Sequence, residues 1–190
     1  SRQDQEALGE ESHRRALAAM AAGKLKAEIS PIEAIYRSAE LNTREAWEIR
    51  KWLDTDEGPR ADTTLEGLAK LRSVFAAKGS VTAGNSSQMS DGAGALLVCS
   101  EEAIKRYGFT PLARYDGFAV RGVPPEIMGI GPKEAIPAVL KSSGRTLADI
   151  KWMELNEAFA AQALAVIRDL NLDTNIVNPN GGAIALGHPL

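Results

Sequence analysis

Short apolar runs no longer than a strand recur between segments that carry helix start and stop signals. This alternation narrows the folds open to the chain more than any other feature. Residues 95–99 (ALLVC), 112–121, 151–155 and 175–177 read as strands. Between them, Ser100 caps a helix that ends at Gly108, and Gly131-Pro132 opens another with proline in its favoured first turn. Pro137, five residues into that helix, removes one hydrogen bond or adds a slight kink. Asn156 reads as the cap of a further helix whose apolar face is Phe159, Ala163, Ile167 and Leu170. The class this implies is α/β, a sheet covered by helices.

Before residue 78 the chain is more charged and more helical. Ser1 with Asp4 three positions on approaches a capping box, and helix formers run from there to Gly23. Thr63 and Glu66 form a second capping box ahead of Leu65, Leu68, Leu71 and Phe75 at helical spacing. Gly79 ends that helix, and a strand over 80–83 follows. Residues 24–59 are patterned weakly. A short extended stretch at 29–32 leads into the charged run 44–56, with Trp47 and Trp52, which is open to a helix or a mobile loop. Residues 54–59 read as a turn-rich exit.

Composition excludes several classes. At 44% hydrophobic and 25% charged residues, the chain is globular rather than disordered. A net charge of −3 with both signs interspersed argues against nucleic acid as a partner, though a local basic cluster can still hold a phosphorylated ligand. No apolar run approaches the length of a membrane span. Ser1 shows no secretory signal, and the missing initiator Met leads us to expect an upstream segment. The single cysteine, Cys99, forbids an intrachain disulfide and suits a reducing compartment. Its place in an apolar run reads as a buried structural thiol rather than a nucleophile. His13 lies on a charged helix and reads as solvated, so no metal-ligand set emerges.

Three segments can carry chemistry. In residues 154–162 (ELNEAFAAQ), Asn156 stands where a strand gives way to a helix. It is either a cap, with Glu157 favouring the positive helix end, or a side-chain amide holding a water or substrate carbonyl. In residues 178–189 (NPNGGAIALGHP), Gly181-Gly182 allows close approach of a ligand, and His188 sits between Gly187 and Pro189. A histidine so fixed is either structural or a base and hydrogen-bond donor near neutral pH. The glycines match neither a dinucleotide fingerprint nor a P-loop. Residues 82–93 (TAGNSSQMSDGA) are an ordinary polar loop or a cradle of small side chains for a long polar ligand.

These three segments, in this order and together with residues 122–132 (GVPPEIMGIGP), resemble the thiolase family over nearly the whole chain. The wording of the first and last is most similar to degradative 3-ketoacyl-CoA thiolases. The resemblance implies a layered αβαβα fold of two similar halves with a loop domain inserted in the first. Residues 1–89 would be the CoA-binding loop domain, 90–110 the returning strand and helix of the N-terminal half, and 111–190 an incomplete C-terminal half. It further implies that His188 activates a nucleophilic cysteine and donates to the thioester oxygen, while Asn156 orients a water that supplies a second donor. By the same resemblance Ser87 bonds the pantetheine arm of CoA, Arg60 flanks the nucleotide end, and Met128 and Phe159 lie near the acyl group.

The activity implied is acyl transfer between 3-ketoacyl-CoA and CoA, with both as substrates and no further cofactor or metal. Alternatives are condensation of two acetyl-CoA and a non-catalytic CoA-binding or interaction subunit. The expected assembly is a homodimer or homotetramer, with a β-oxidation complex as a further partner, in a bacterial cytoplasm or else a mitochondrion or peroxisome. Both family cysteines are expected outside residues 1–190, since Cys99 matches neither motif, so the chain alone should be inactive. Residues 34–52 match no loop-domain pattern.

Overall fold

Ser1 Oγ accepts from the Asp4 amide, and the Asp4 carboxylate accepts from the Ser1 amino group, closing a capping box over α1 (Arg2–Ala21). The computed structural model describes residues 1–40, 42, 43 and 45–189. Gly23, at φ +69°, turns the chain out of α1 where the sequence predicts a stop. The buried face of α1 is not apolar: it consists of Gln5, Glu6, Gly9, Ser12, His13, Ala16 and Ala19. Small residues there let other backbone come close. A Cβ on Gly9 would stand 2.7 Å from the Gly84 carbonyl oxygen, so α1 can seat that turn only through glycine. Two arginines fasten the helix. Arg2 donates to the carbonyls of Leu68, Ala69 and Leu71, and Arg15 to those of Thr174, Val177 and Asn178.

The apolar core lies beside α1, around α5 (Ala160–Asp169). Ala163, Val166 and Ile167 are buried with Leu155, Leu172 and Val177, and Leu8 and Ile136 pack on them. The predicted face therefore holds at Ala163 and Ile167. Leu170, the C-cap, also packs on the core, whereas Phe159, the N-cap, is exposed and leaves the face. Nor does Asn156 cap α5, which starts four residues later. A competing pairing stands there: the Ser87 amide donates to the Ala158 carbonyl (3.0 Å) and Ser86 bridges Phe159, whose backbone is extended.

Two strands pair antiparallel, β1 (Ile32–Ala39) with β2 (Ala46–Leu53), in register from Ile32↔Leu53 to Ala39↔Ala46. This replaces the helix or mobile loop expected there; Arg44, where the charged run begins, lies outside the described residues. Alternation sorts the side chains. Ile32, Tyr36, Trp47, Ile49 and Leu53 share one face. On the other, Arg37 pairs with Glu48 at 2.9 Å and Arg50 with Glu33 at 3.0 Å.

The second predicted helix shrinks to α2 (Leu65–Ala69), capped by Thr64 rather than Thr63. Arg2 donates to the carbonyls of Leu68, Ala69 and Leu71 at the end of the helix, and Phe75 packs edge-on against Phe159. Two helices follow expectation. In α3 (Glu101–Tyr107), Ser100 Oγ accepts from the Ala103 amide and Gly108 ends the helix at φ +67°. In α4 (Gly131–Ser143), Pro137 is accommodated and Gly144 ends the helix at φ +67°.

The predicted strands at 95–99 and 112–121 pair with nothing among the described residues, leaving Leu96 94% and Leu112 101% exposed. Apolar composition alone does not make a strand, which takes its stability from a paired neighbour and a covering layer. Cys99, expected buried, is accordingly half-exposed. Elsewhere the predicted strands reduce to single bridges, Met153↔Val177 in parallel and Ser73↔Thr82 antiparallel. Among the described residues no helix is long and apolar enough to cross a membrane.

Candidate functional site

One side chain holds the turn on which Asn156 stands. Asn178, at φ +45°, accepts from the Leu155 amide through Oδ1 (2.7 Å) and donates through Nδ2 to the Leu155 carbonyl (2.7 Å) and to Glu157 (2.9 Å). Asparagine tolerates this left-handed backbone better than other non-glycine residues. Residues on both sides of Asn156 are thus pinned while its own side chain stays exposed.

His188 reaches the same place from another segment. The short helix α6 (Ala183–Leu186) ends at Gly187, whose φ of +100° turns the chain back. The His188 amide then donates to the Gln88 carbonyl (2.8 Å), and Met89 bridges His188 in parallel. Asn156 Nδ2 lies 3.2 Å from His188 Nε2. With the amide nitrogen donating, Nε2 is an acceptor and Nδ1 carries the proton; with the amide turned over, Nε2–H donates. The half-buried imidazole can therefore serve as base in one state and donor in the other.

Gln88 ties this corner to a neighbouring groove. Its Nε2 donates to the carbonyls of Gly58 (2.9 Å), Ile184 (3.3 Å) and Ala185 (3.2 Å). The groove encloses about 370 Å³, and His13, Arg60, Thr64, Leu68, Gln88 and Ile184 are among its walls. His13, expected to be solvated, is 5% exposed, and its Nδ1 accepts from the Arg60 amide at 3.0 Å. Burial, and then the Arg60 charge, hold its pKa below the ordinary histidine value, with Asp62 opposing. The Arg60 guanidinium is exposed, 3.5 Å from Asp62.

The structure therefore joins some predicted residues and not others. Asn156 and His188 touch. Ser87 meets the Asn156 segment through its amide, and Phe159 packs edge-on against Phe75 at 5.8 Å. Arg60 shares the groove with Gln88. Met128, 77% exposed on the turn Pro125–Ile130, joins neither cluster among the described contacts.

Sequence reasoning missed Gln88, Asn178, Ser12 and Glu157. Glu157 is buried, accepting from Ser12 Oγ (2.7 Å), Asn178 Nδ2 (2.9 Å) and the Ile184 amide (3.2 Å). The one available signal was a carboxylate set between Leu155 and the apolar start of α5, where a solvated glutamate has little room. Among the described residues no group of three His, Cys, Asp or Glu side chains is placed to hold a metal ion.

Comparison with known proteins gives concordant matches. The profile of the thiolase N-terminal domain matches residues 1–102, and that of the thiolase C-terminal domain matches residues 109–190. The 3-ketoacyl-CoA thiolase of Bacillus subtilis (strain 168) is 50% identical over 190 residues, covering 100% of this chain and 48% of the relative. The crystal structure of human mitochondrial 3-ketoacyl-CoA thiolase in complex with CoA superposes with a TM-score of 0.90 at 46% identity, over 100% of this chain and 44% of that one. The crystal structure of the Bacillus anthracis acetyl-CoA acetyltransferase gives a TM-score of 0.88 at 44% identity, over 100% and 45%. The chain spans about half the length of the curated relatives it matches. Its fold is that of the corresponding part of these structures, α/β in class.

Proposed function

The chain belongs to the thiolase family, and from that premise we propose that the protein carrying it transfers acyl groups between 3-ketoacyl-CoA and CoA. The observation that carries this reading is the 3.2 Å approach of Asn156 Nδ2 to His188 Nε2 beside a groove lined by Arg60 and Gln88. A cysteine thiolate attacks the 3-keto carbon, and His188 takes the thiol proton. Cleavage of the bond between carbons 2 and 3 leaves an acetyl-CoA enolate whose charge collects on the thioester oxygen, where His188 Nε2–H and a water held by Asn156 donate; each such donor contributes about 3 kcal/mol. The enolate takes a proton from the second cysteine, and acetyl-CoA departs. A second CoA thiolate then removes the acyl group from the cysteine.

In this reading the nucleophile and the second cysteine lie outside residues 1–190, and Cys99 is neither. Arg60 receives the nucleotide end of CoA, Ser87 the pantetheine arm, and Met128 and Phe159 flank the acyl group. Residues 1–89 form the CoA-binding loop domain, 90–110 belong to the N-terminal half, and 111–190 to the C-terminal half. We place the protein in a bacterial cytoplasm as a homodimer or homotetramer; the exposed apolar side chains at 96–98 and on the hairpin support burial against further protein. Condensation of two acetyl-CoA is the second reading, favoured by the likeness to the acetyltransferase structure.

The test is mass spectrometry of the complete protein mixed with a 3-ketoacyl-CoA and CoA. Acetyl-CoA and an acyl-CoA two carbons shorter are expected, with an acyl adduct on a cysteine other than Cys99. Residues 1–190 alone should give neither product nor adduct. An adduct on Cys99 would overturn the assignment.

A further inference from the structure

We propose that Glu157 is a positioning residue for the Asn156–His188 pair, locking together from beneath the two turns on which those side chains stand. The kinetic consequence drawn below rests on the acyl-transfer reading; the geometric one does not.

Glu157 is 3% exposed, and both its carboxylate oxygens accept hydrogen bonds. The three donors are uncharged and come from three separate segments: Ser12 of α1, Asn178 of the turn after Val177, and Ile184 of α6. Burying a carboxylate against neutral partners is a poor way to gain stability, since an apolar group of similar volume serves the fold as well or better. What the arrangement does provide is registry. Glu157 is the residue after Asn156, and Ile184 stands four residues before His188. Asn178 also brackets Leu155 on the other side of Asn156. Ser12 completes the knot by accepting from the Gly182 amide (3.0 Å) while donating to Glu157 (2.7 Å). Gly182 leaves the space: a Cβ there would overlap the Glu157 carboxylate. Both turns that carry the pair therefore bond to this one side chain or to a partner of it, while residues 86–89 hold the same two segments from the other side through the Gln88 carbonyl and the Ser87 amide.

In the complete protein His188 can be read by nitrogen-15 correlation spectra, with His188→Ala giving the assignment. In the unaltered protein we expect one dominant ring tautomer and a nuclear Overhauser effect between the Asn156 side-chain amide and the His188 ring. In Glu157→Ala the Overhauser effect should at least halve and the tautomer preference relax toward that of free imidazole, with α1 amide signals away from Ser12 unmoved. Should that variant fail to fold, Ser12→Ala removes one donor, keeps a good helix former in α1, and should produce the same changes in weaker form. In the complete protein, Glu157→Ala should lower kcat on the order of tenfold to a hundredfold, as small misplacements of reacting groups do, while KM for CoA stays within about twofold. An unchanged His188 tautomer and Overhauser effect in a folded Glu157→Ala overturns the proposal, whatever kcat does. Absence of acyl transfer in the unaltered complete protein removes the functional reading instead, and leaves the spectra to decide the positioning.

Discussion

Gly181→Ala probes how closely α1 seats the turn beneath His188. Two costs add. The φ of +88° at Gly181 lies in the left-handed region, which costs a residue with a Cβ about 1–2 kcal/mol. An added Cβ would also stand 2.6 Å from Ala16 Cβ, 2.7 Å from Ala16 N and 2.8 Å from Ser12 O. Two of these three atoms are α1 backbone, which cannot swing aside as a side chain can, and overpacking of this kind costs about 1–3 kcal/mol. The sum is about 2–5 kcal/mol, a large share of a domain's stability of about 5–15 kcal/mol. Gly144→Ala is the control, because Gly144 has φ +67° and nothing within 4 Å of its would-be Cβ. It carries the strain without the collision and should cost about 1–2 kcal/mol. Urea unfolding followed by far-ultraviolet circular dichroism measures both. Gly181→Ala should lose roughly twice as much stability as Gly144→Ala or more. Adding Ala16→Gly should restore little, since Ala16 N and Ser12 O remain in place. Equal losses in the two single variants would refute the backbone-contact account of this turn.

His188→Ala in the complete protein should lower kcat by a factor of about 10² or more, through loss of a base and an oxyanion donor together; unchanged turnover removes His188 from the mechanism. Asn156→Asp should lower kcat with little change in melting temperature, because Asn156 is exposed and caps no helix; lowered stability with full turnover would reverse that assignment. The pH dependence of stability should report His13, whose pKa the fold depresses below the ordinary 6.5 through burial first and the Arg60 charge second. As pH falls through 6.5 the unfolded chain takes up a proton that the folded chain does not. The stability His13 contributes is therefore complete above that pH and lost below it until the folded imidazole protonates. Urea midpoints compared at about pH 7.5 and about pH 5.5 should show this fall, and His13→Gln should flatten it.

What could be read from the sequence divides along a physical line. Caps and stops are local, so Ser1 with Asp4, Ser100 with Gly108, and the Gly131-Pro132 opening were legible and appear as expected. Elements decided by distant partners were not. Asn156 carries the signature of an N-cap, yet Ser86 and Ser87, some seventy residues earlier, pair with Phe159 and Ala158, and the helix begins only after them. Arg2 satisfies the carbonyls at the end of α2 from across the molecule. The hairpin was hidden because Arg37, Glu33, Glu48 and Arg50 share one face with Ile35 and Trp52, which blurs the apolar and polar alternation until the register is known.

The site residues follow the same division, with a consequence for how such sites are found. His188 and Asn156 stood out because glycine, proline and a strand-to-helix junction surround them, all features of nearby chain. The residues that bring them together do not stand out. Ser12 sits in the middle of a charged helix, and Glu157 looks like a favourable charge at a helix start, 145 positions away. Each helps satisfy the other in burial, together with Asn178, Ile184 and Gly182, and a buried polar group without a partner costs more than either local context could offset. A reactive pair can thus be picked out of a sequence one residue at a time. The scaffold that sets its distance is a property of pairs far apart in the chain, and it emerges only when α1 is laid against the turn that carries His188.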